Sequence, residues 1–250
     1  MKKLFTIGLI FLLFSCNSEK SWDCIQAAGD SVSKEYFISD FSKIRIEDDV
    51  TLYLKQGETQ QVKLETGENL LGDISVSIEE NTLVVKDHNN CNLVRDYGIT
   101  KVFVTTPNIS EIRNSSAYDV IGEGILNFPQ LTLVSNTTAG PETFRKSGDF
   151  YLNIICDEFR VAANGQSVFY ITGNANKATL SFNDEMPRFE GKDFLINELI
   201  VFQRSANKMI VNPQQSILGK IVATGDIVSY NRPALVDVKE LFTGRLLFED

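Results

Sequence analysis

One histidine, four cysteines and a scatter of carboxylates are what this 250-residue chain offers to chemistry. A single imidazole, His88, excludes a multi-histidine metal centre and confines any histidine-dependent nucleophile to its own neighbourhood. Only Cys91 lies near it in sequence, with no third group to orient the pair, and the loop His88-Asn89-Asn90-Cys91-Asn92 is polar. His88 therefore reads as a solvated turn residue. Cys156 closes the run Tyr151-Leu152-Asn153-Ile154-Ile155-Cys156, where Leu152, Ile154 and Cys156 share one face of a period-2 strand, so it reads as a small core hydrophobe. Cys24 and Cys91 both sit in polar, irregular stretches. They are expected to pair as a disulfide that ties the N-terminal segment to the first β part.

Other chemistry must come from stacked polar corners. Asp184 and Glu185 occupy one, Arg204 the expected equivalent in the next repeat, and Asp226 the one after. At roughly 5 Å per coil these would form a small surface ladder. Convergent carboxylates are what a polysaccharide lyase or hydrolase needs, although polar residues also occupy corners simply because corners face water. Exposed rings are the second resource: most Phe residues fall within strand runs, but Tyr118 and Tyr230 lie near turns and are candidate contacts for a glycan. No calcium loop, phosphate-cradling glycine loop or nucleophile elbow is present, so no metal site and no cofactor is expected.

The charge narrows the partners. With 33 acidic against 24 basic residues, the net charge of −9 makes nucleic acid a poor ligand. The N-terminus points to export. Met1-Lys2-Lys3 is a positive start, Leu4 to Phe14 is an apolar run too short to span a bilayer, and Leu13-Phe14-Ser15-Cys16 resembles the lipobox of bacterial lipoproteins. Residues 1–15 are thus expected to be a cleaved signal and Cys16 an acylated anchor. Loss of Lys2 and Lys3 would take the charge from −9 to −11. Residues 16–35 then form a tether, on either side of an outer membrane, with oligomeric state left open.

The elements that position these residues are strands. Runs such as Ile44-Arg45-Ile46, Val50-Thr51-Leu52-Tyr53-Leu54, Leu83-Val84-Val85 and Val102-Phe103-Val104 alternate with period 2 and are separated by turn formers. The one helix candidate after the signal is a turn around Asn69-Leu70-Leu71, so a doubly wound sheet with a cofactor crevice is excluded. Further on, Phe169, Phe189, Met209 and Ile227 recur about 20 residues apart, each preceded by an apolar pair and a polar corner. That period predicts a β-solenoid whose inward residues stack from coil to coil, with an irregular antiparallel sandwich as the alternative. The expected division is an N-terminal β part over residues 36–106 and a solenoid part over 107–250.

The stretch Phe41 to Ile46, then Val50 to Gly57, Leu83 to Val85, and Val102 to Ile112 resembles the putative auto-transporter adhesin head GIN domain family. The ending Ala223 to Tyr230 with Pro233 is similar to that family's closing coil. The chain departs from the pattern at Asn114-Ser115-Ser116-Ala117 and at Asn231-Arg232-Pro233. The resemblance implies an all-β, right-handed parallel β-helix-like solenoid in two parts, a lipoprotein setting in the Bacteroidota, and no catalytic residues. The reading that follows is a non-enzymatic exported lipoprotein that binds a protein or glycan, with a carbohydrate-active β-helix enzyme as the alternative.

Overall fold

The computed structural model describes residues 23–38, 40–89, 91–138 and 145–249. Cys16 and the expected signal, residues 1–15, lie outside them. Among the described residues the fold is all-β. Seventeen strands join one hydrogen-bonded network, and the only helical turns are 3-10 pieces at Asp23–Ile25 and Leu71–Asp73. The second of these sits where the sequence pointed to a turn.

The strands are β1 (Ser31–Tyr36), β2 (Lys43–Asp48), β3 (Thr51–Gln56), β4 (Gln61–Gly67), β5 (Ile74–Glu79), β6 (Thr82–Asp87), β7 (Lys101–Thr106), β8 (Glu111–Ser116) and β9 (Val120–Asn127). They continue with β10 (Gln130–Ser135), β11 (Phe150–Ala163), β12 (Val168–Phe182), β13 (Arg188–Gln203), β14 (Met209–Ile221), β15 (Ile227–Ser229), β16 (Leu235–Glu240) and β17 (Leu246–Phe248). β11 to β14 are long because each bends through a corner and contributes to two faces of the stack.

On the first face the parallel order runs β6, β2, β8, β10, then the second halves of β11 to β14, then β16. The second face runs β7, β3, β9, the first halves of β11 to β14, then β15 and β17. At about 4.8 Å per strand, nine strands make a stack about 38 Å tall. The chain does not stack in sequence order: the unit β2–β3 lies between β6–β7 and β8–β9. Antiparallel pairs β5·β6, β4·β7 and β1·β4 cover the N-terminal end.

Alternation explains the core. Phe150, Phe169, Phe189, Met209, Ile227 and Leu246 are register partners, so one apolar position per coil builds a continuous column. Phe150 and Phe169 stack with ring centroids 4.7 Å apart. That column belongs to the second face; the first face carries Leu83, Ile44, Ile112, Leu133, Val161, Leu180 and Val201 into the same interior from the opposite side. All but the ends of these columns are buried. Inside the corners, polar side chains replace apolar ones and satisfy the turning backbone. Ser116 Oγ accepts from the Val50 and Tyr118 N–H groups, both at 3.0 Å, and donates to the Asp48 carbonyl at 2.8 Å. Asn114 Oδ1 accepts the Ser116 N–H at 2.9 Å, which is how Asn114-Ser115-Ser116 makes a working corner. At the opposite bend, the Asn176 amide donates to Asp157 at 2.7 Å and the Asn197 amide to Asn176 at 3.1 Å.

Inward and outward positions should therefore respond differently to truncation. Phe169→Ala is expected to cost about 3–5 kcal/mol and its outward neighbour Tyr170→Ala about 1 kcal/mol or less, measured by urea unfolding. Equal losses would contradict the assigned faces.

Candidate functional site

The cysteine pair is joined in the structure: the Cys24–Cys91 disulfide has a Cα separation of 4.5 Å and spans 67 residues. Around it the Leu93 N–H donates to the Cys24 carbonyl at 2.9 Å and Arg95 Nη2 donates to the Cys91 carbonyl at 2.7 Å. The segment before β1 is thereby held against the loop between β6 and β7. His88 is exposed, with Nε2 3.1 Å from Ser75 Oγ. With Cys91 in a disulfide, His88 has no thiol to activate. Cys156 is free and buried, and burial, reinforced by the Asp157 carboxylate, pushes its thiol from 9.0 up to about 12. It is inert as a nucleophile at neutral pH.

The expected ladder of Asp184, Arg204 and Asp226 is corrected by the register. The corners after β12, β13 and β14 begin at Asn183, Arg204 and Val222. The N–H groups of Asn183, Arg204, Val222 and Leu241 each bond a carbonyl one coil back, which puts these four in one column. Asp184 stands one position further along its corner. Asp226 stands at the far end of its own, in the column of Arg188, Lys208 and Arg245 ahead of the next strand. The three residues thus occupy different positions of corners of similar length, because polar turn residues do not fix a register and the buried strand positions do.

The acids of these corners also have local partners. Asp184 Oδ1 accepts the Glu185 N–H at 3.0 Å, and the Glu185 carboxylate pairs with Lys146 at 2.5 Å. Asp226 Oδ1 accepts the Arg245 N–H at 2.9 Å. The same task recurs in that column: Asp119 Oδ1 accepts the Asp149 N–H at 2.9 Å and Asp149 Oδ1 the Val168 N–H at 2.7 Å. These carboxylates splice one coil to the next. Burial raises the Asp149 carboxyl and its bond from Val168 opposes that rise. The sequence signal was an acidic residue just before an apolar strand start, visible at Asp119, Asp149 and Asp226 alike.

Tyr118 and Tyr230 do not share a platform. Tyr118 precedes β9 and Tyr230 follows β15, five strands along the second face, or about 24 Å. The Tyr118 ring lies half-buried beside Asp49, Asp87, Asn89, Arg95 and Thr100 in a small cleft. Its hydroxyl is raised by burial first, then by the nearby Asp49 charge. The acids there are engaged: Asp49 meets Arg145 at 2.7 Å, and Asp87 accepts from Thr100 at 2.7 Å and from the Asn89 N–H at 2.9 Å. Tyr230 lies under Lys192, whose Nζ is 4.2 Å from the ring centroid.

The aromatic surface that the fold does build was missed in the sequence. On the outer side of the second face, Phe103, Tyr53, Ile121, Tyr151 and Tyr170 are register partners on five consecutive strands. Tyr53 stacks on Phe103 with centroids 4.9 Å apart, and Tyr151 on Tyr170 at 4.7 Å with planes 7° apart. Tyr151 and Tyr170 remain 41% and 40% exposed, so ring edges and hydroxyls line an open stripe. Polar side chains flank it, with Thr105, Lys55 and Asn153 on one side and Asp119 and Asp149 on the other. The signal was in the alternation: these rings fall on the opposite parity from Val102, Leu52, Val120, Phe150 and Phe169. Among the described residues, no three His, Cys, Asp or Glu side chains gather closely enough to hold a metal ion, and no helix is long and apolar enough to cross a membrane.

A family model described as "Putative auto-transporter adhesin, head GIN domain" matches residues 40–233. None of the curated proteins matches in sequence. Among solved structures, a "putative adhesin" from Bacteroides fragilis NCTC 9343 superposes with a TM-score of 0.78 at 16% identity, covering 90% of this chain and 100% of that one. A "putative adhesin" from Parabacteroides distasonis ATCC 8503 gives a TM-score of 0.65 at 12% identity, covering 89% and 99%. A "putative lipid binding protein" from the same strain gives 0.58 at 14%, covering 89% and 98%. At such identities the likeness is one of fold.

Two expectations follow from the cysteines. The double variant Cys24→Ser/Cys91→Ser should lose about 2–4 kcal/mol in urea unfolding, and the unreduced native protein should show no free thiol at either position by mass analysis. A free thiol at both would contradict the pairing. Because the Cys156 thiol is raised in the fold, its contribution to stability is fully present below about pH 8.5 and drains away as pH rises toward about 12. Cys156→Ala should lose less stability than wild type between about pH 8 and about pH 11. Equal alkaline losses would show that the thiol is not raised.

Proposed function

The chain belongs to the auto-transporter adhesin head GIN domain family, and from that membership we propose that it is a non-enzymatic, adhesin-like binding protein of the cell envelope. In this reading the signal is removed before Cys16, acyl chains on Cys16 hold the protein to the outer membrane, and the stack stands off the membrane as a rigid right-handed β-solenoid. The right-handed hand follows the rule for parallel strand connections. The signal-like start Met1 to Ser15, the lipobox-like Leu13 to Cys16 and the Bacteroidales sources of the similar structures support the envelope setting.

The observation that carries the binding role is the outward stripe Phe103, Tyr53, Ile121, Tyr151 and Tyr170. Tyrosine offers a large apolar body and a hydroxyl at low entropic cost, and such rings dominate binding surfaces of this kind. A protein or glycan laid along the second face would meet ring edges in the middle and hydrogen-bonding side chains on both flanks. The enzymatic alternative finds less support. Asp184, Glu185 and Arg204 border one open cleft but Asp226 stands in another column, and Glu185 and Asp226 already serve Lys146 and the Arg245 N–H.

The test uses intact expressing cells and the purified protein against arrayed glycans and immobilised host proteins. Tyr151→Ala/Tyr170→Ala should weaken binding at least about tenfold, while Tyr118→Ala and Tyr230→Ala leave it within about twofold. Binding that survives loss of both ladder tyrosines, or cleavage of an arrayed polysaccharide, would contradict the proposal. Cys16→Ser should move the protein from the membrane fraction to the soluble fraction, and continued membrane retention would contradict the anchor.

A further inference from the structure

We propose that β16 is the strand through which two copies of this chain join tail to tail, so that the first face runs unbroken across a two-fold axis at Val238. The inference rests on features apart from the aromatic stripe. Among the described residues β16 pairs only with β14, and β17 only with β15. The other side of each is an open row of backbone donors and acceptors, a ready template for a further strand. The N-terminal end has two outermost strands, β1, which reads Ser-Val-Ser-Lys-Glu-Tyr and is guarded by charge, and β5, which reads Ile-Ser-Val-Ser-Ile-Glu and alternates serine with its apolar residues. At the β16 end apolar side chains stand in solvent: Leu241 is 62% and Phe242 57% exposed, and Leu235, Val236 and Leu247 are exposed beside them.

The sequence of β16 favours a second copy over other strands. The Leu241 N–H bonds the Ile221 carbonyl, so odd-numbered residues of this strand face β14. Val236, Val238 and Glu240 then direct their N–H and C=O groups to the open edge. An antiparallel copy centred on Val238 therefore exchanges both hydrogen bonds at Val238 itself, as a hydrogen-bonded antiparallel pair requires. In that register Asp237 of each copy faces Lys239 of the other, twice by symmetry, and exposed Leu235 faces exposed Leu241. Val238 already packs against the core, so its meeting with its own symmetry mate extends the inner column across the junction. Self-complementarity of charge, apolar position and hydrogen-bond parity at one centre is the signature of an isologous interface.

Sedimentation of the purified full chain, in density-matched detergent and at tens of micromolar, is expected to give the mass of two chains. Asp237→Lys places two lysines opposite each other, and Lys239→Asp two aspartates, so each should weaken association by about tenfold or more. The swap Asp237→Lys/Lys239→Asp restores opposite charges and should restore the dimer. Val238→Cys should form an intermolecular disulfide under mild oxidation, because a hydrogen-bonded antiparallel pair holds its Cα atoms about 5.5 Å apart. A single-chain mass for the wild type would overturn the proposal. A dimer indifferent to both single charge changes, or a double swap that stays dissociated, would overturn the assigned register and with it the strand-to-strand contact.

Discussion

Register is the constraint from which the rest of this structure follows. In a parallel stack each strand meets its neighbour in one alignment, and a slip of one residue would turn every buried side chain to water. The column from Phe150 through Phe169, Phe189, Met209 and Ile227 to Leu246 fixes that alignment from coil to coil, because bulky inward groups must sit on one another. No coil can bury its apolar side alone, so stability resides in the interfaces between coils. Corners, outer faces and ends are consequences. Asp119, Asp149 and Asp226 lie where the strand start places them, and their carboxylates satisfy the next N–H group. The outer tyrosines align because the inner phenylalanines do.

This also explains why the surface is organised in stripes and not around a point. A side chain placed outward on one strand has neighbours about 4.8 Å away on the strands to either side, whatever their distance in sequence. Residues as far apart as Tyr53 and Tyr170 thus enter one stripe, whereas Asp184 and Arg204, in consecutive corners, stand in different columns. A fold of this kind readily presents extended surfaces. Gathering an acid, a base and a substrate at one spot would need corner insertions that interrupt the columns.

Much of the architecture was legible in the sequence. Alternation and the recurrence of Phe169, Phe189, Met209 and Ile227 reported the inner column directly, and the unlike surroundings of Cys24, Cys91 and Cys156 separated a paired couple from a core thiol. The ladder of Asp184, Arg204 and Asp226 was misread because corners were aligned by their polar residues, while register is set by buried strand positions several residues away. The stripe around Tyr151 and Tyr170 was overlooked since only rings near turns were weighed as contacts, although parity already divided the rings within strand runs into inward and outward sets. The insertion of β2–β3 between β6–β7 and β8–β9 left no mark in the sequence. Local alternation fixes which side of a strand is buried, but not which strand lies next to it.

That out-of-order stacking is where the account is most exposed, and pairwise spin-label distances test it directly. Thr82, Lys43 and Thr179 share one outward column of the first face, with Lys43 one strand nearer to Thr179 than Thr82 is. At about 4.8 Å per strand, labels at Thr82 and Thr179 should lie about 24 Å apart, and labels at Lys43 and Thr179 about 19 Å. A stack built in sequence order would reverse that ranking, and a longer distance from Lys43 than from Thr82 would contradict the fold on which the surface assignments rest.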